Sequence, residues 1–166
     1  MATSGKNLSQ YATDTTPSAK GFTFGIAVAE WNPEITRNLA DGAVKTLLDL
    51  GAAPADIYIH WVPGSFELPL TAQWLIEQKM CDAVVIIGSV IQGETRHFDF
   101  VCEAVAQGVK DVSLKTNTPV IFCLLTDNTH QQAIDRSGGK HGNKGVECAV
   151  AAVKMATLRQ KLSAED

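Results

Sequence analysis

Asp82–Ser89, read as DAVVIIGS, is an apolar run of strand length that ends on Gly88-Ser89. Its apolar positions do not alternate with polar ones, so both faces are expected to be covered. That is the pattern of a strand inside a parallel sheet. A parallel neighbour cannot be reached by a tight turn, so a crossover helix must stand on either side of the run. Downstream, Phe98, Val101, Val105, Val109 and Val112 recur at helical steps. Upstream, Pro63-Gly64 breaks the chain and Ser65 is placed to cap a helix reaching about Lys79.

The pattern repeats outward. Phe22–Ala29 (FTFGIAVA), Ile57–Val62 (IYIHWV) and Pro119–Leu125 (PVIFCLL) read as further strands. Asn32-Pro33 suits an N-cap and first helical position, followed by Ile35, Leu39, Ala43, Leu47 and Leu50, with Gly51 closing the helix. Asp127 is placed to open a short helix. A Gly-rich turn spans Gly138–Gly145, and Val146, Val150 and Val153 mark a last helix. Strand–helix alternation of this kind predicts an α/β fold with helices on both faces of the sheet. The expectation is a three-layer αβα sandwich on a four-stranded parallel sheet, flavodoxin-like. Residues 22–166 form one domain, and residues 1–21, rich in Ser and Thr, read as a flexible N-terminal extension.

Composition narrows the function. The chain has 166 residues, 14 Lys plus Arg against 18 Asp plus Glu, and a net charge of −4. A nucleic-acid binder usually carries a basic surplus, so none is expected as a partner. No stretch approaches the ~18 apolar residues a membrane span needs, and the first 21 residues hold no apolar core of a secretory signal. Cys81, Cys102, Cys123 and Cys148 show no CxxC spacing. They read as buried reduced thiols in a cytoplasmic protein rather than zinc ligands. Asp99, Asp127 and Asp135 have no metal-loop spacing, so no metal is expected.

In such a sheet, ligands bind outside the C-terminal ends of the strands. There Gly88–Thr95 (GSVIQGET) nearly matches a phosphate-binding GxxxxGK[ST] loop, but Glu94 replaces the lysine. Nucleotide hydrolysis is thereby disfavoured. A glycine loop entering a helix still offers backbone N–H groups and the Thr95 hydroxyl to a phosphate. His97 follows at the helix start, where an imidazole can move protons in both directions at neutral pH. Trp31 can be core or a platform for a flat heterocycle. Ser65 and Glu67 are explained by helix capping and dipole effects, and the functional alternative is polar contact with a hydroxyl-rich ligand beside Phe66. Arg136, Lys140 and Lys144 make a local cation cluster in an acidic chain.

Four segments together resemble the lumazine synthase family, from Phe22 to about Leu158. They are Trp31-Asn32 with Ile35-Thr36, VPGSFELP (Val62–Pro69), GSVIQGETRHFDFV (Gly88–Val101), and the block from PVIFCLLT to GNKGVECA. The resemblance implies condensation of 5-amino-6-(D-ribitylamino)uracil with 3,4-dihydroxy-2-butanone 4-phosphate. The products are 6,7-dimethyl-8-ribityllumazine, phosphate and water, in the penultimate step of riboflavin biosynthesis. It implies that Trp31 and Asn32 stand at the pyrimidine, with Trp31 stacked on the ring. Ser65, Phe66 and Glu67 contact heterocycle and ribityl chain, and Val90 and Ile91 offer backbone groups. Glu94 and Thr95 hold phosphate, and His97 is catalytic as the proton carrier. From a neighbouring subunit, Phe122 and Lys144 complete the pocket and Arg136 pairs with phosphate. No cofactor is implied. A homo-oligomer is, either a pentamer or a shell of sixty subunits, and the compact turn between Arg136 and Gly145 favours the shell. Riboflavin synthase is an implied partner. The competing readings are a non-catalytic flavin- or lumazine-binding or shell-forming homologue, and a nucleotide-using protein of the same fold.

Overall fold

The computed structural model describes residues 7–165. Four strands, β1 (Phe24–Ala29), β2 (Ile57–Val62), β3 (Ala83–Ile91) and β4 (Val120–Asp127), form one parallel sheet in the order β2-β1-β3-β4. Between them run α1 (Pro33–Asp49), α2 (Leu68–Lys79) and α3 (His97–Thr116). After β4 come the short α4 (His130–Arg136), a hairpin of β5 (Ser137–Gly139) and β6 (Gly142–Asn143), and α5 (Lys144–Ser163).

The alternation of side chains along β3 explains the layers. Ala83, Val85 and Ile87 pack under α1 and α5, whereas Val84 and Ile86 pack under α2 and α3. Both faces are therefore dry, as the unbroken apolar run required. The α1–α5 crossing is close at Gly145, where an added Cβ would overlap the carbonyl oxygen of Leu39. Gly145→Ala is expected to cost at least about 2 kcal/mol, because backbone cannot move aside as a side chain tip does. A urea melt of the variant checks this.

Several local expectations are corrected. β1 begins at Phe24; Phe22 and Thr23 lie before it, and Asp82, outside β3, accepts from Thr23 N at 2.8 Å. Ser65 is not a helix cap. It is buried within a single 3₁₀ turn, Ser65–Glu67, that leads into α2. Asn32 occupies the N-cap position of α1 but makes no side-chain cap bond. Asp127 closes β4; α4 is opened by Thr129, whose hydroxyl accepts from Gln132 N at 3.3 Å. Cys81, Cys123 and Cys148 are buried, whereas Cys102 is half-buried, and all four are free thiols.

Residues 1–6 of the expected flexible extension lie outside the described residues. Beyond them the chain lies against the domain. Leu8 N donates to His141 O at 2.8 Å, Ser9 Oγ accepts from Asn143 N at 2.9 Å, and Ala19 N donates to Leu50 O at 2.8 Å. Ala19 is fully buried in the core under α1 and α5. No helix among the described residues is long and apolar enough to cross a membrane.

Candidate active site

The chain leaves β1 toward β2 on one side and returns to β3 on the other. The crevice between the ends of β1 and β3 is thus the switch point where ligands bind in open α/β sheets. Asn32 ties the crevice together. Its backbone is left-handed, with φ 56°, and its Nδ2 donates to Ser89 O at 2.9 Å. Beside it Trp31 is 71% exposed, which decides against a core role for the indole.

The 3₁₀ turn after β2 supplies the opposite wall. A Cβ added at Gly64 would lie 3.2 Å from Glu67 Oε2 and 3.5 Å from Trp31 Cδ1, so indole and carboxylate meet over this glycine. Phe66 is 65% exposed. Ser65 packs over β3 at Gly88, where an added Cβ would come within 2.7 Å of Ser65 Oγ and 2.5 Å of Leu124 Cδ1. Gly88→Ala is expected to lower kcat/KM for the ligand held here about tenfold by pushing the turn outward, a typical result of misplacing a positioning group. Steady-state kinetics beside a thermal melt would separate this from simple unfolding.

β3 runs two residues further than expected, so Val90 and Ile91 of the glycine segment are strand, not loop. Val90 and Ile91 are half-buried at the strand end. What remains as a turn is Gln92–Arg96, with Glu94 and Thr95 exposed. Thr95 Oγ1 accepts from His97 N at 3.4 Å, so the threonine supports the first turn of α3. His97 is the first residue of that helix and is exposed.

A second group of site residues lies along the sheet edge formed by β4. Phe122 pairs with Ile86, five positions before the last pair Asp127–Ile91, hence about 16 Å below the strand ends. It is 36% exposed, and its carbonyl accepts from Cys148 Sγ at 3.8 Å. Lys144 begins α5, with Nζ 2.6 Å from Glu147 Oε1. Burial pulls the Lys144 ammonium down, but the Glu147 carboxylate together with Cys148 and Cys123 leaves the net shift upward, so the cation is held charged. Arg136 ends α4, with Nε 3.7 Å from Asp127 Oδ1. Burial pushes the Asp127 carboxyl up, and Arg136 pulls it partly back. Lys140 is exposed in the hairpin.

Two groups result, and they adjoin where Asp127, which holds Arg136, pairs with Ile91. Trp31, Asn32, Ser65, Phe66, Glu67, Val90, Ile91, Glu94, Thr95 and His97 gather around the crevice. Phe122, Arg136 and Lys144 gather at the β4 edge. A hollow of about 650 Å³ lies elsewhere, between α1 and the β5–β6 hairpin, lined by Glu34, Asn38, Asp41 and Lys45 among others. Sequence reasoning missed the carboxylates that hold the two cations. Glu147 had a signal, its three-residue helical spacing from Lys144. Asp127 had none, since nothing in a strand-end Asp announces an Arg nine residues on.

The family model for 6,7-dimethyl-8-ribityllumazine synthase matches residues 21–160. The chain is 58% identical over 164 residues to the 6,7-dimethyl-8-ribityllumazine synthase of Flavobacterium johnsoniae, covering 98% of this chain and 86% of that protein. Similar proteins of the same name occur in Christiangramia forsetii, 55% identical with 96% of each chain covered, and in Porphyromonas gingivalis, 48% identical with 96% of this chain and 99% of that one covered.

Proposed function

The chain belongs to the 6,7-dimethyl-8-ribityllumazine synthase family, and from that premise we propose that its two clusters are halves of one active site built between neighbouring copies. The observation that carries this reading is Phe122, 36% exposed on the edge strand five positions before that strand ends, where a neighbouring copy can cover it. The crevice presents aromatic, carboxylate and imidazole groups, while the cations suited to a phosphate stand at the β4 edge of the same chain.

The reaction is the condensation of 5-amino-6-(D-ribitylamino)uracil with 3,4-dihydroxy-2-butanone 4-phosphate to give 6,7-dimethyl-8-ribityllumazine, with loss of phosphate and water. The ring amine is itself the nucleophile, so no side-chain nucleophile is required. It attacks the ketone carbonyl, and water leaves as the imine forms. Loss of a proton from the adjacent carbon allows phosphate to depart, and the ribitylamino nitrogen closes the second ring with loss of further water. His97 carries the protons of these steps. Trp31 stacks on the pyrimidine beside Asn32, and Phe66 and the neighbour's Phe122 enclose it. Ser65, Glu67 and the backbone of Val90 and Ile91 fix its polar edge and ribityl chain. Thr95, backbone N–H groups of the turn at Glu94, and the neighbour's Arg136 hold the phosphate, with Lys144 near the ring. Much of the acceleration comes from holding two small reactants together. The residues ask for no metal or organic cofactor.

The copies form a pentamer, and the compact turn at Arg136–Gly145 supports further assembly to a sixty-subunit shell in the cytoplasm, with riboflavin synthase as a partner. Sedimentation velocity distinguishes the two assemblies. The function is tested by mixing both substrates with the assembled protein and following lumazine absorbance against a protein-free control. A rate proportional to protein is expected. A rate equal to the control from folded, assembled protein would favour the non-catalytic ligand-binding reading. Trp31→Ala is expected to raise KM for the pyrimidine about tenfold, the worth of one base–aromatic stack, and to leave KM for the butanone phosphate unchanged. Equal rises in both constants would remove Trp31 from the stacking role.

A further inference from the structure

Among the described residues, two buried side-chain polar atoms have no hydrogen-bond partner: Ser89 Oγ and Asp127 Oδ2. They are not scattered. Ser89 stands opposite Leu125, and Ile91 stands opposite Asp127. Ser89 and Asp127 are therefore diagonal neighbours on adjacent strands. Both follow the alternation that places Ile87, Cys123 and Leu125 on the face under α1 and α5. Strand spacing and rise put their Cα atoms about 8 Å apart. One buried water can bridge polar side chains at that spacing, and buried water is found at such unpaired polar groups.

Ser89 is also tied to the crevice, and Asp127 to both groups of candidate residues. Ser89 O accepts from Asn32 Nδ2 at 2.9 Å, at the crevice. Asp127 O accepts from Gln92 N at 2.9 Å, at the root of the turn that carries Glu94 and Thr95. The other carboxylate oxygen of Asp127 faces Arg136 Nε at 3.7 Å.

We propose that Asp127 is a positioning residue for Arg136, and that its carboxylate is fixed in turn by one ordered water shared with Ser89. A carboxylate on the Nε side of a guanidinium leaves the two Nη groups directed outward, the edge that binds a phosphate bidentately. The same negative charge weakens the cation's pull on an anion. Orientation and charge cancellation act with opposite signs on substrate affinity, so the sign of one measurement decides between them. The proposal rests on Arg136 being the phosphate-binding group.

The test is steady-state kinetics on assembled protein, varying each substrate in turn. Asp127→Asn keeps the shape and removes the charge. It is expected to raise KM for the butanone phosphate roughly three- to tenfold, the scale of one ordinary hydrogen bond, with KM for the pyrimidine unchanged. Ser89→Ala should produce a smaller rise of the same kind. The double variant should be no worse than Asp127→Asn alone, because both act through one contact. A fall in KM, or no change, in Asp127→Asn would reduce the residue to a counter-charge and overturn the proposal. So would equal rises for both substrates, which mark a structural fault, or additive effects, which exclude the shared water. Arg136→Ala is measured alongside. If it leaves KM for the phosphate substrate unaltered, the assignment of Arg136 itself fails. If it raises that constant while Asp127→Asn does not, only the positioning role fails.

Discussion

Arg136→Ala is expected to raise KM for 3,4-dihydroxy-2-butanone 4-phosphate about a hundredfold while leaving KM for the pyrimidine near its wild-type value. A guanidinium on a phosphate dianion makes charge-assisted, bidentate bonds, and losing them from a partly desolvated site costs on the order of 3 kcal/mol. Only one of the two substrates carries the dianion, hence the asymmetry. Equal weakening of both would point to a disturbed subunit contact. The substitution has a second consequence inside the chain. Asp127 is already pushed up by burial, and Arg136 is what pulls it back. A carboxyl raised in the folded state stabilises the fold at pH values low enough to keep it protonated and withdraws that support as pH rises. Without Arg136 the upward shift grows. The variant should therefore lose stability at neutral pH, by about 1 kcal/mol for a pair that is only partly screened from water, and lose less in acid. Adding Asp127→Asn should restore the neutral-pH stability and leave the phosphate defect in place. Thermal melts at two pH values and one KM determination check all three statements.

The expected strands and helices were legible because burial on both faces leaves a plain mark. Asp82–Ser89 has no polar interruption, and β2 begins and ends where its sequence suggests. Boundaries failed where one residue type serves two purposes. Ser65 after Pro63-Gly64 looks like a helix cap, but its hydroxyl is taken up against Gly88 across the sheet, a contact made by residues 23 positions apart in the chain. Asn32 has the chemistry of a cap and spends its amide on Ser89 O instead. The glycine spacing suggested a loop after Ser89, yet cross-strand pairing with Thr126 and Asp127 holds Val90 and Ile91 in the sheet. The crevice residues could be read from strand ends alone. Phe122 could not: a mid-strand aromatic on an edge carries no local signal, and only the family resemblance makes it a candidate. Asp127 was hidden for a related reason, since its partner Arg136 reaches it only after the chain has turned through α4.

His97→Ala is expected to behave in the opposite kinetic sense to Arg136→Ala. It should lower kcat about a hundredfold, the low end of what one positioned proton carrier supplies, with little change in either KM. His97 is exposed at the start of α3, and its backbone N donates to Thr95 Oγ1 at 3.4 Å. Alanine keeps that bond and favours helix. Assembly and melting temperature should therefore stay where they are, and sedimentation and a thermal scan verify that before the rate is interpreted. A residual rate well above the protein-free control should survive, because the reacting amine belongs to the substrate and the site still holds both molecules together. His97→Gln gives the sharper comparison. Glutamine donates and accepts hydrogen bonds but does not exchange a proton at neutral pH. If proton transfer is the role, it should be as slow as alanine. If it recovers most of the wild-type rate, His97 orients a substrate atom and the protons travel through water. If alanine itself reacts at the wild-type rate, His97 has no part in the chemistry, and the acceleration comes from binding the two reactants together.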